Sequence, residues 1–208
     1  MTLRMAGVYD LRTIKMLQEK KVNHFAFDFR PTSLNFIQEH LCLKILKSCS
    51  FDHVFLQFDN EKDFVIKRIY ELVRASFGGK ITLEFFKVPP EIDSLNLPFV
   101  YHLDCLEIPE AILRSSRLVG FSLCSKFLNN LKESGNFESW LNYFYTANSG
   151  ASHKNIHILS RDWDDDLFPS LFDLFDFDLV SLSINNKVES CFRNVDLHKL
   201  DKHLSFVR

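Results

Sequence analysis

Asn155-Ile156-His157-Ile158-Leu159-Ser160 and Leu179-Val180-Ser181-Leu182-Ser183-Ile184 stand near the end of the chain as two short apolar stretches. Each is an apolar run of buried-strand length. An acidic turn and an apolar helical stretch follow the first, and a loop over 185–194 and a closing helix follow the second. A buried strand followed by a helix is the unit of a parallel sheet, since a parallel neighbour is reached only by a crossover.

The same unit repeats upstream. Strands are read at 3–8, 24–29, 53–58, 81–88, 99–104 and 118–124. Between them, 11–20 reads as a helix capped by Asp10, with Leu11, Ile14 and Leu17 on one face. Residues 34–47, 61–76, 109–115 and 137–145 read as further helices, the second with Phe64, Ile69, Leu72 and Val73 inward. The link 89–98 is too short for a full helix, so that unit is abbreviated. Eight strands with right-handed crossovers close without an edge as a (β/α)8 TIM barrel, expected as a single domain over 1–208. A doubly wound open sheet is the fallback. The carboxyl ends of the strands, with Ala6, Asp28, Asp104, Cys124, Ser160 and Ser183, should then share one rim, where barrels keep their active sites.

Composition narrows the function classes. The 208 residues are 46% hydrophobic and 25% charged, with net charge −2, as in a globular protein with one large core. No basic stripe is present, which argues against nucleic acid. No apolar run reaches ~18 residues, and the start lacks a secretory pattern, so neither a membrane span nor export is expected. Five cysteines without CxxC spacing suit a reducing cytoplasm. No metal or cofactor motif is read, so neither is expected; the partner is a small molecule or a protein, and the chain a monomer or homodimer. There are 22 Phe but only 6 Gly, against about 7% Gly in ordinary usage. None of the glycines lies between Ala151 and Arg208.

The stretch Ala26-Phe27-Asp28-Phe29-Arg30-Pro31-Thr32-Ser33-Leu34-Asn35-Phe36-Ile37 resembles phosphoribosylanthranilate isomerase, the barrel enzyme of tryptophan biosynthesis. That family's second strand runs into Phe-x-Phe-x-Pro-x-Ser-x-Arg-Tyr-Val. Phe27, Phe29, Pro31, Ser33, Phe36 and Ile37 follow the pattern, and Asn35 stands at its Arg. Met5-Ala6-Gly7 looks like the first-strand Ile-Cys-Gly. Ser134-Gly135-Asn136-Phe137-Glu138-Ser139-Trp140 looks like the loop leading to Phe-Asp-Trp. Leu159-Ser160 looks like the start of Leu-(Ser/Ala)-Gly-Gly, and Val188-Glu189-Ser190 with Asp196 like the closing Ser-Gly-Val-Glu and Lys-Asp.

The resemblance implies the barrel and an Amadori rearrangement by a Cys base on strand 1 and an Asp acid on strand 6. The chain departs at both positions, which are Ala6 and Cys124. Ala6 has no proton to exchange, and an ordinary thiol is a poorer acid than a tuned carboxyl. Cys124 also reads as a small buried hydrophobe. The family's phosphate loops carry glycines so that backbone N–H groups can approach the anion. Here loop 7 reads Arg161-Asp162-Trp163 with Asp164, Asp165 and Asp166, and loop 8 reads Asn185-Asn186-Lys187. The carboxylates repel a phosphate dianion by roughly 1 kcal/mol or more per close charge. Ser33, Ser160, Arg161, Asn185, Asn186 and Lys187 are the residues left to hold a ligand.

Polar groups at predicted strand ends are the remaining catalytic candidates: Asp28, Asp59, Glu84, His102 and Asp104, alongside Cys124. They suit a divalent metal, an acid–base pair or mouth-lining salt bridges such as Asp28 with Arg30, though no spaced ligand motif supports a metal. His153 and His157 read as structural. The segment 168–177, with Phe168, Phe172, Phe175 and Phe177, reads as core or as a docking surface. The reading is a barrel that resembles the isomerase, has lost its machinery and binds a ligand or partner. The alternatives are a working isomerase, or another barrel enzyme using strand-end carboxylates. Whether it is an enzyme at all stays open at this point.

Overall fold

The computed structural model describes residues 2–89, 91–148 and 156–207. The chain runs β1 (Thr2–Ala6), α1 (Leu11–Glu19), β2 (His24–Asp28), α2 (Glu39–Leu46), β3 (His53–Phe58), α3 (Asp63–Ser76), β4 (Lys80–Phe85) and α4 (Ile92–Leu95). It continues through β5 (Phe99–Leu103), α5 (Glu110–Arg114), β6 (Leu118–Cys124), α6 (Ser125–Glu133), α7 (Phe137–Asn148), β7 (Ile156–Arg161) and α8 (Leu171–Leu174). It ends with β8 (Leu179–Ser183), β9 (Glu189–Cys191), β10 (Asn194–Val195) and α9 (Leu197–Val207). Strands β1 to β8 form a closed barrel in sequence order, and β8 pairs parallel with β1 through Leu3↔Val180 and Met5↔Leu182. The expected barrel is the observed fold, and the open sheet is excluded.

Alternation along each strand makes two cores. One face points at the helices and carries most of the aromatic volume, including Phe25, Phe27, Phe85 and Phe121, all fully buried. The other face fills the barrel with a small set, Ala6, Ala26, Phe55, Val100, Ile158 and Leu179. Polar residues share this interior. Arg4 donates from Nη1 and Nη2 to the Glu84 carboxylate at 2.8 and 3.0 Å, and from Nε to Ser181 Oγ at 2.9 Å. Gln57 Nε2 donates to Glu84 at 2.9 Å. An Arg in the middle of a barrel is tolerated because its donors are met by a carboxylate and a hydroxyl.

Several elements differ from the sequence reading. Asp10 does cap α1, accepting from Thr13 N at 2.8 Å. The helix read at 34–47 begins only at Glu39, because a turn built on Asp28 holds the preceding residues. Helix α6 was not anticipated. Phe64 is 63% exposed on α3, whereas Ile69 and Val73 are buried as expected. The loop read over 185–194 contains the antiparallel pair β9–β10, turned at Arg193, whose φ is 58°. The segment 168–177 forms only one short helix. Phe175 is buried against Phe144 and Tyr145, whereas Phe172 is exposed. His153 and Asn155 lie outside the described residues.

Candidate ligand site at the barrel mouth

At the carboxyl rim, β2 delivers Asp28 into a local turn. Its carboxylate accepts from Arg30 N at 3.0 Å, Arg30 Nε at 2.9 Å, Arg30 Nη2 at 2.7 Å and Ser33 Oγ at 2.6 Å. This fork fixes the guanidinium over the Phe86 ring, 3.7 Å from its centroid. Phe86 stacks in turn on His102, at 4.3 Å between ring centroids. The Arg30–Phe86–His102 pile plugs the β4–β5 side of the mouth.

The other side is open. A cavity of about 660 Å³ lies between the loops after β1, β2, β4 and β8, with Ala6, Asp28, Gln57, Ser160, Ser181 and Ser183 of the strands lining it. Gly7 permits the geometry at its edge: its φ is +68°, and a Cβ there would meet the Asn35 side chain at 2.3 Å. Asn35 Nδ2 donates to Ile184 O at 2.7 Å, tying the loop after β2 to the loop after β8. The hairpin β9–β10 forms the far wall. Glu189 there accepts from the Tyr9 hydroxyl, and Arg193 lies over Tyr9 at 4.6 Å while donating to Phe36 O at 2.8 Å. Burial, then the Glu189 bond, push the Tyr9 phenol far up, so it stays a donor.

The sequence candidates separate accordingly. Asp28, Ser33, Ser160, Asn185 and Asn186 line the cavity. Glu84 does not; burial alone would raise its pKa, but Arg4's charge and hydrogen bonds hold it well below the carboxylate range. His102 is 8% exposed behind Phe86, and burial lowers its pKa, so it is neutral. Asp104 is exposed, and neither it nor Cys124 borders the cavity. Glu84, His102 and Asp104 thus do not converge on the open space. Asp59 holds Arg30 at 4.0 Å and Lys87 at 3.5 Å. Among the described residues no group of His, Cys, Asp or Glu could hold a metal ion.

Arg161 and Lys187 also turn away from the cavity, and loop 7 explains why. Arg161 Nη2 donates to the backbone O of Asp165 at 2.7 Å. The Asp165 carboxylate accepts from Asp162 N at 2.8 Å and from Ser125 Oγ. The Asp162 carboxylate accepts from Trp163 N at 2.7 Å and Asn185 Nδ2 at 2.8 Å. Lys187 Nζ sits 2.8 Å from Asp162 and 3.0 Å from Asp164. Two loop 7 backbone N–H groups, those of Asp162 and Trp163, are thus taken by the chain's own carboxylates. No long helix begins at the end of β7; α8 starts at Leu171 and has 4 residues. The residues that sequence reasoning missed are Arg4, Gln57 and Tyr9, whose partners are distant in sequence; the Asp28–Arg30 pair was read from the sequence, but the contact of Arg30 with the Phe86 ring was not.

No protein-family model and no curated protein sequence matches the chain. Solved structures do. The phosphoribosylanthranilate isomerase of Thermus thermophilus superimposes with a TM-score of 0.66 at 15% identity, covering 100% of both chains. A monomeric form of the Thermotoga maritima enzyme gives 0.67 at 14%, covering 98% of this chain and 96% of that one. A phosphoribosylanthranilate isomerase in complex with reduced 1-(o-carboxyphenylamino)-1-deoxyribulose 5-phosphate gives 0.65 at 13%, covering 98% and 96%. The chain therefore has, over its whole length, the fold of the phosphoribosylanthranilate isomerases that its sequence resembles.

Proposed function

We propose that this chain is a diverged isomerase-like barrel without isomerase activity, and that its mouth serves to bind a ligand. The observation that carries the reading is loop 7. Asp162 and Asp165 occupy backbone N–H groups at the place where the family resemblance puts a phosphate seat, and Lys187 is held by two carboxylates. Ala6 and Cys124 at the strand ends add the second argument. The former cannot accept a proton, and the latter is not among the residues that line the cavity. Binding rather than chemistry suits what remains, because the carboxylates that border the open space, Asp28 and Glu189, are each already engaged. Five free cysteines suit a reducing, cytoplasmic setting for such a protein.

The test is complementation of a tryptophan auxotroph lacking the isomerase, with the native chain and with Ala6→Cys/Cys124→Asp. Each acid–base group is worth roughly 10²–10⁴-fold in rate, but only on a substrate held in register. Neither chain is expected to support growth. Growth on the native chain overturns the non-catalytic reading. Growth on the double substitution alone shows that the phosphate seat still works.

A further inference from the structure

We propose that the mouth cavity takes an uncharged, hydroxyl-bearing small molecule that also carries an apolar group. This rests on the reading of the mouth as a binding site and adds the class of ligand. Charge is the first argument. Among the described residues Arg30 is the one Lys or Arg lining the cavity, and both Nε and Nη2 are bound to Asp28. Its flat face is spent on Phe86. The remaining charged wall is Glu189, so the lining residues sum to no excess positive charge. An anion entering would meet Asp28 and Glu189 without a free cation to answer them.

Free hydrogen-bonding groups are the second argument. The hydroxyls of Ser160 and Ser183 and the side chain of Asn186 line the cavity with no hydrogen bond to another of the described residues. Ser160 pairs in register with Ser181, two residues before Ser183 on the same face of β8, so the hydroxyls form one polar strip on adjacent strands. Such a strip matches ligand hydroxyls, which both donate and accept. The rim supplies the third argument. Leu34 is 74% and Phe192 67% exposed, and both border the same cavity. Large apolar side chains left in water at a pocket edge gain by covering an apolar part of the ligand.

Calorimetry and amide shifts with the full chain test this, using adenosine and phenyl β-D-glucoside as uncharged probes, against adenosine 5′-monophosphate and phenyl glucoside 6-phosphate. The uncharged probes should bind below about 1 mM, and each phosphorylated counterpart at least about ten-fold more weakly. Leu34→Ser/Phe192→Ser, both on the surface, should weaken the uncharged probes about ten-fold, and Ser160→Ala about five-fold. Equal or tighter binding of the phosphorylated probes overturns the proposal. So does failure of both uncharged probes to bind, or indifference to the rim substitutions. Turnover of the isomerase substrate would instead strike at the non-catalytic reading, so the two failures are distinguishable.

Discussion

Arg4 and Glu84 decide what the barrel interior can do. Glu84 is fully buried, and the Arg4 guanidinium against it, helped by the Gln57 amide, outweighs the burial that would otherwise raise its pKa. Removing one partner strands the other in low dielectric. Glu84→Gln or Arg4→Met alone should therefore cost about 3–5 kcal/mol, whereas Arg4→Met with Glu84→Leu should cost far less. Urea denaturation of the three variants checks this. Equal losses for single and double substitutions would mean that the pair is not what holds Glu84 in place. Glu84 was visible in the sequence as a polar residue in a strand, but its partner was not, since the two are 80 residues apart. Asp28 and Ser33 were legible for the opposite reason. They are 5 residues apart and act through one turn.

Among elements, the β7–α8 loop matters most. Substituting Asp162→Gly and Asp165→Gly should free the N–H groups of Asp162 and Trp163 and release Lys187 from one of its two carboxylates. Affinity for inorganic phosphate should rise at least about ten-fold, since each close charge removed is worth roughly 1 kcal/mol. Amide shifts over 161–165 report it, and a native chain that binds phosphate equally well would contradict the self-filled loop. The strand elements were readable because buried parallel strands are unbroken apolar runs. Connections were less so. The pair β9–β10 turns on Arg193 in the left-handed region, a place where Asn or Gly would have announced the turn. Helix α6 buries only Ser125, Leu128 and Leu131, a narrow stripe that follows directly on β6. Helix α2 starts late because Asp28, not helix propensity, governs the residues before Ile37.

At the scale of the whole molecule, closure of the barrel was legible from eight repeated units, while the state of the mouth was not. Whether Phe side chains plug it depends on one ring, Phe86, between Arg30 and His102. The same burial sets the pH response. Burial lowers the pKa of His24, His53, His102 and His157, with His53 brought down to about 3. Each binds a proton less readily folded than unfolded, where the ordinary value is about 6.5. Their contribution is fully present above that pH and is lost as pH falls toward the folded values, by up to about 1.4 kcal/mol per unit for a well-buried group such as His53 or His102. Urea midpoints should be flat from pH 8 to about 6.5 and decline toward pH 5; constant midpoints would contradict the burial. The proposal that this mouth lacks the isomerase's phosphate-anchored chemistry is open to calorimetry with reduced 1-(o-carboxyphenylamino)-1-deoxyribulose 5-phosphate, the ligand of one structurally similar isomerase. No heat of binding is expected up to about 1 mM, and saturable binding in the micromolar range would contradict the claim.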